Sequence, residues 1–254
     1  VLDGTFPTVK SPNPENPEGF YLAVDLAKEV GSDLILGTDP DSDRVGVMVR
    51  GADGEYHTIT GNQMGVLLLD YIITARRKGT LPENAAAIST IVTSKMVRRI
   101  CDVNDIHFDE TFTGFKFMAE KLAEYQRDGS YQYVLAFEES YGYMMGDYVR
   151  DKDAVTACVM ITEMAAYYFE QGMTLAQALD ALYEKYGFYG ERTLNLVMPG
   201  LDGLEKMRAL MAQLRREPLQ EIAGTKVVRM RDYQDGSVYV MGLGKMDKTP
   251  ISGS

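Results

Sequence analysis

Residues 37–44 read Gly37-Thr38-Asp39-Pro40-Asp41-Ser42-Asp43-Arg44, and they lie between two apolar runs, Leu34-Ile35-Leu36 and Val45–Val49. Short apolar runs bounded by turn residues read as buried strands. The stretch is therefore a loop that leaves one strand and enters another. Three carboxylates alternate with small residues in it. In an extended loop alternate side chains point the same way, so Asp39, Asp41 and Asp43 can converge. Converging carboxylates repel one another unless a cation lies between them. Hard oxygen donors favour Mg²⁺, with Mn²⁺ or Ca²⁺ as alternatives. An EF-hand needs Gly at the sixth loop position and Glu at the twelfth; counted from Asp39 these are Arg44 and Arg50. A solvated acidic turn is the plain alternative, and the buried flanks and Arg44 count against it.

Outward from this loop, strands and helices alternate. Upstream, residues 3–19 are rich in Pro, Asn and Gly and read as loop, followed by a short amphipathic helix over Phe20–Val30. Downstream, Gly51–Gly54 is a turn. Thr60 with Gln63 forms a capping box that opens a helix to Arg77, and Gly79 stops it. The pattern then predicts a strand at Ile88–Val92, a helix at Lys95–Val103 capped by Ser94, a strand at Ile106–Asp109, a helix at Phe115–Tyr125 and a strand at Tyr133–Phe137. Asp153 caps a long helix to Gln171, and Thr174 with Gln177 opens another to Tyr186. Such alternation implies α/β architecture, with helices packed over sheets. Past Gly190, a strand at Thr193–Val197, a helix at Leu204–Arg215 and strands at Lys226–Met230 and Val238–Met241 look like the start of another unit.

Three further constellations carry polar chemistry. Phe137-Glu138-Glu139-Ser140-Tyr141-Gly142 closes a strand, where ligands bind in open α/β sheets. A carboxylate and a hydroxyl two residues apart can bond adjacent sugar hydroxyls. Thr113-Gly114-Phe115-Lys116 opens a helix, whose N-terminus favours an anion, and Gly allows close backbone approach. Arg150-Asp151-Lys152-Asp153 puts a Lys just before a helix N-terminus, poorly placed for the helix dipole unless it faces a phosphate.

Together these motifs resemble the α-D-phosphohexomutase (phosphoglucomutase/phosphomannomutase) superfamily, nearest its phosphoglucomutase branch. DPDSDR at 39–44 is similar to the family's DGDxDR metal loop, with Pro40 in place of Gly. FEES at 137–140 is similar to GEES, with Phe137 in place of Gly, and residues 3–15 resemble the segment just upstream of the metal loop. The resemblance implies layered mixed-sheet domains with helices over the sheets. It assigns Mg²⁺ (or Mn²⁺) to Asp39, Asp41 and Asp43, and phosphoryl contact to Arg44. It gives sugar binding to Glu138 and Ser140, which are expected to face solvent in an open cleft, and a sugar-site lining to Thr113 and Gly114. Lys152 would contact substrate or phosphoserine and is the one weak candidate for a general base. The implied activity is an intramolecular phosphotransferase. It interconverts hexose (or pentose) 1-phosphate and 6- (or 5-) phosphate through a phosphoserine and a sugar bisphosphate, with glucose phosphates as the expected substrates. The family's T-[AG]-S-H-N-P phosphoserine loop and its R-P-S-G-T-E-P phosphate loop are both absent from these residues. The expected organisation is then the later part of a second, metal-loop domain (1–58), a third, sugar-binding domain (59–187) and the beginning of a fourth, phosphate-binding domain (188–254). The remaining domains of the same polypeptide become the expected partners, and this chain alone is expected to be inactive. Two other readings stay open. One is a metal-dependent aspartyl phosphatase with Asp39 or Asp41 as nucleophile, although a haloacid-dehalogenase-type site wants Thr or Val where Asp43 stands. The other is a non-catalytic sugar-phosphate-binding module.

Composition agrees with an ordinary globular protein of 254 residues. A net charge of −11 argues against nucleic-acid binding. The two cysteines, Cys101 and Cys158, sit in apolar helical patterns and read as reduced thiols of a cytoplasmic protein. No apolar run is long enough to cross a bilayer. A start at Val1 and an end at Ile251-Ser252-Gly253-Ser254 read as a piece of a longer protein.

Overall fold

The computed structural model describes residues 3–191, 198–200, 202–234 and 236–240, and the backbone of 246–248. They form two units, Val1–Gly190 and Glu191–Ser254.

The first sheet of the first unit is an antiparallel meander, β1 (Leu34–Thr38), β2 (Val45–Arg50) and β3 (Tyr56–Ile59). Thr38 pairs with Val45, so residues 39–44 are the β1–β2 hairpin loop. β2 is buried on both faces. Val45, Val47 and Val49 enter one core, and Met48 enters another with Phe20, Ala27, Ile35 and Tyr56. Gly37 and Gly46 are paired across the hairpin. A Cβ on either would lie within 2.9 Å of the Phe20 ring, so the two glycines form the slot that seats it. Phe20 ends a 3₁₀ turn over Pro17–Phe20, and α1 (Tyr21–Val30) follows, closed by Gly31 in the left-handed region with its N–H on the Ala27 carbonyl.

The second sheet has the order β5-β4-β6-β7. Its strands are β4 (Ala85–Thr90), β5 (His107–Thr111), β6 (Gln132–Phe137) and β7 (Tyr143–Met144). β4 runs parallel to β5 and β6, and β7 turns back antiparallel. One face packs against α2 (Gly61–Arg76), α3 (Met96–Asn104), α5 (Ala154–Glu170) and α6 (Leu175–Tyr186). The other face carries α4 (Phe115–Asp128), whose Phe115, Met118, Leu122 and Tyr125 meet Ala86, Ile88 and Ala136. Both capping boxes form: Thr60 with Gln63 opens α2, and Thr174 with Gln177 opens α6.

The second unit contains α7 (Gly203–Arg216), a short hairpin β8 (Glu221–Ile222) and β9 (Thr225–Lys226), and an antiparallel sheet of β10 (Arg229–Asp232), β11 (Ser237–Val240) and β12 (Met246–Lys248). The strand expected at Lys226–Met230 is broken between β9 and β10. The strand expected at 193–197 lies outside the described residues.

Candidate functional site

The β1–β2 loop is held by its own first carboxylate. Asp39 Oδ1 accepts from the N–H of Asp43 and of Arg44, each at 3.0 Å. The Ser42 N–H closes a turn on the Asp39 carbonyl at 3.1 Å, and Ser42 takes a left-handed φ of 56°. This fold-back brings one oxygen each of Asp39, Asp41 and Asp43 within 4.8 Å of one another. Asp39 and Asp43 are half-buried and Asp41 is exposed. Partial burial, with the Asp43 carboxylate beside it, pushes the Asp39 carboxyl above its ordinary range. Burial also opposes ionisation of Asp43, but hydrogen bonds, that of Lys152 foremost, hold its carboxyl below that range. Three carboxylate oxygens that converge within 4.8 Å form a hard donor set that suits a divalent ion. A cavity of about 340 Å³ behind the loop, lined among others by Phe6, Val9, Pro14 and Phe20, shares Asp39 with this cluster and none of the residues described next.

Glu138 ends β6. Its carboxylate accepts the Gly114 N–H at 2.6 Å, and the Ser140 hydroxyl lies 3.4 Å from its other oxygen. The expectation that Glu138 faces open solvent is corrected: only 9% of it is exposed. Burial, with Glu139 adjacent, raises its pKa against the opposing Gly114 N–H. Ser140 is half-buried and Thr113 exposed. Gly114, at the N-cap of α4 with φ of 112°, has a backbone that only glycine adopts readily.

Backbone bonds stitch the loops together. The Val45 N–H donates to the Tyr141 carbonyl at 3.1 Å, and Arg44 bridges Gly142. The Ala154 N–H at the start of α5 donates to the Ser42 carbonyl at 3.0 Å. Lys152 closes the circle. Its Nζ lies 2.9 Å from Asp43 and 3.1 Å from Asp151, and 5.0 Å over the Phe115 ring. Burial works against its charge, and the two carboxylates more than offset this, raising its pKa. Arg44 lies 3.1 Å from Glu15, 3.7 Å from Asp43 and 3.9 Å from Asp39. The structure thus brings Asp39, Asp43, Arg44, Lys152, Gly114, Glu138 and Ser140 into one connected site within the first unit. Two contributors went unread in the sequence. Glu15, in the loop-like PNPE stretch, steers Arg44. Gly142 makes room for the Lys152 stem, and a Cβ there would stand 2.4 Å from Lys152 Cδ.

The family model described as phosphoglucomutase/phosphomannomutase, alpha/beta/alpha domain III, matches residues 60–186, and the domain II model matches residues 1–54. The chain belongs to the α-D-phosphohexomutase superfamily. A phosphohexomutase relative named phosphoglucomutase, from Staphylococcus aureus (strain bovine RF122 / ET3-1), is 37% identical over 237 residues, covering 93% of this chain and 42% of its own length. A phosphoglucomutase of Staphylococcus saprophyticus is 33% identical over 249 residues, covering 98% of this chain and 45% of its own. The chain therefore spans less than half the length of these curated relatives. A solved phosphoglucomutase/phosphomannomutase family protein from Burkholderia thailandensis superposes with a TM-score of 0.57 at 18% identity, covering 93% of this chain and 45% of that one. Parafusin from Paramecium gives 0.54 at 18% identity, covering 89% and 39%. At such identity the superpositions establish the shared fold. Among the described residues no helix is long and apolar enough to cross a membrane.

Proposed function

We propose that this chain supplies the metal loop and the sugar loop of a hexose-phosphate mutase, most specifically one acting on glucose 1-phosphate and glucose 6-phosphate. The observation that carries the reading is the junction of the two loops. The Asp39–Asp43 turn, Lys152 and the Glu138–Ser140 pair are joined by hydrogen bonds within one unit. Asp39, Asp41 and Asp43 would hold Mg²⁺ or Mn²⁺, which when bound would stabilise negative charge on phosphoryl oxygens. Arg44, turned by Glu15 toward the same carboxylates, adds a fixed guanidinium for the transferring group. Glu138 would accept and Ser140 would donate or accept hydrogen bonds with vicinal sugar hydroxyls, and the Lys152 ammonium, held charged by Asp43 and Asp151, would exchange Asp43 for a phosphate oxygen rather than act as a general base. In the complete enzyme, a phosphoserine outside these residues passes its phosphoryl group to a free hydroxyl of the sugar monophosphate. The bisphosphate reverses its orientation, and its other phosphoryl group returns to the serine oxygen. Residues 1–58, 59–187 and 188–254 would then be parts of the second, third and fourth domains. Two unpaired thiols suit a reducing, cytoplasmic setting.

The test is calorimetric titration of the 254-residue chain with glucose 1,6-bisphosphate in Mg²⁺. The reading expects saturable binding that Glu138→Ala and Ser140→Ala both weaken, with the melting temperature kept within a few degrees in Ser140→Ala and lowered in Glu138→Ala, whose buried carboxylate holds the Gly114 N–H. Absence of binding by the wild-type chain, or trapping of a phosphoryl group on Asp39 or Asp41, would refute it.

A further inference from the structure

Glu139, between the two residues assigned to sugar contact, turns away from them. Its carboxylate oxygen Oε2 accepts two hydroxyl hydrogens, from Thr90 and from Thr93, each at 3.2 Å. Both threonines are buried at the carboxyl end of β4, where their hydroxyls also lie 2.8 Å apart and the Thr90 N–H donates to the Thr93 hydroxyl at 3.1 Å. The Glu139 carbonyl presses against the first turn of α2: a Cβ on Gly61 would stand 2.1 Å from that oxygen. Asn62, the next residue of α2, accepts the Ser94 N–H at 2.9 Å, so the threonine loop and the α2 terminus are themselves tied together. Downstream, Tyr141 holds a left-handed φ of 68°, which a residue with a large side chain keeps only when its surroundings impose it. The Glu138 N–H meets the Gly142 carbonyl at 2.9 Å across this turn.

We infer that Glu139 is the positioning residue of the sugar loop, a clamp to the Thr90 and Thr93 hydroxyls that sets where Glu138 and Ser140 stand. The loop is pinned at Glu139 on one side and at the Tyr141 carbonyl on the other, and Glu138 lies beside the first pin. A clamp made by reach and hydrogen-bond acceptance needs an oxygen at that distance and does not need the charge. Gln can accept both hydroxyls through its carbonyl oxygen. Asp keeps the charge but retracts its oxygens by about 1.5 Å, one carbon–carbon bond. The consequence for ligand binding rests on the sugar-phosphate reading of the site; the consequence for Glu138 does not.

The experiment uses the 254-residue chain and its E139Q, E139D and E139A variants with two readouts. The first is amide hydrogen exchange at Gly114, whose N–H is held by Glu138. The second is calorimetric binding of glucose 1,6-bisphosphate in Mg²⁺. E139Q should match wild type within about twofold in both. E139D and E139A should speed Gly114 exchange roughly tenfold or more and weaken bisphosphate binding about tenfold, as expected for loss of hydrogen bonds to a charged group. Mn²⁺ binding to Asp39, Asp41 and Asp43 should stay within about twofold in all three variants, which a general loss of structure would not permit. Wild-type exchange at Gly114 in E139D overturns the inference even if E139A fails to fold. Should wild type not bind the bisphosphate, the functional proposal falls, and Gly114 exchange alone still decides the role of Glu139.

Discussion

Gly142→Ala is the sharpest perturbation this site offers. The added methyl would stand 2.4 Å from Lys152 Cδ, 2.8 Å from Lys152 Cγ and 3.0 Å from Phe115 Cε2. The lysine stem is the flexible partner, so it yields and its ammonium leaves Asp43, now 2.9 Å away. Overpacking of this size costs about 1–3 kcal/mol. The ion pair adds no more than about 1 kcal/mol, because Asp43 is partly open to solvent. A loss of about 1–4 kcal/mol in a unit of this size lowers Tm by roughly 2–16 °C. The assay is a double-mutant cycle with Lys152→Ala, followed by thermal melts. With the stem gone, only the Phe115 contact remains, so Gly142→Ala should then cost less than about 1 kcal/mol. Equal costs in the two backgrounds would show that Lys152 is not what fills the space beside Gly142, and would refute the packing argument.

Other outcomes follow from the same structure. Thr60→Ala removes the side-chain acceptor of the α2 capping box, which takes the Gln63 N–H at 3.2 Å, and should cost about 1 kcal/mol in a urea melt. Burial pushes the Cys101 thiol up to about 12 from 9.0. The unfolded thiol therefore ionises first as pH rises, and the stability Cys101 contributes below pH 9 should be lost toward pH 12 at up to about 1.4 kcal/mol per pH unit; Cys101→Ala should make the alkaline decline shallower, the remainder coming from buried tyrosines such as Tyr125 and Tyr143, whose pKa burial also raises. At neutral pH a thiol reagent should modify the half-buried Cys158 before Cys101. The 254-residue chain should show no mutase turnover in a coupled glucose 1-phosphate assay with glucose 1,6-bisphosphate present, since no Ser here lies in the phospho-acceptor pattern. Turnover abolished by Asp41→Asn would contradict this.

The helices were legible because their signals are local. Caps at Thr60, Asp153 and Thr174 and apolar periodicity mark α2, α5 and α6 within a few residues. Strands fared worse where packing overrides propensity. β4 begins at Ala85, whose alanines carry no strand signal but suit a sheet packed closely on both faces. β3 and the two-residue β7 are set by pairing with β2 and β6, a non-local contact that no window of sequence reveals. The same division runs through the site. Asp39, Asp41 and Asp43 stand out by alternation, and Glu138 and Ser140 by motif. Glu15, Gly142 and Glu139 act through partners 29, 10 and 46–49 positions away, so their roles emerge only in three dimensions.

The proposed function requires the acidic turn and the sugar loop to make one ligand site. Mn²⁺ titration followed by water-proton relaxation, repeated with glucose 1,6-bisphosphate, tests it most directly. A single Mn²⁺ should bind per chain and be lost in Asp41→Asn. The bisphosphate should change the relaxivity of bound Mn²⁺ in wild type and leave it unchanged in Glu138→Ala. Equal Mn²⁺ binding by wild type and Asp41→Asn, or a bisphosphate response that survives Glu138→Ala in full, would contradict it.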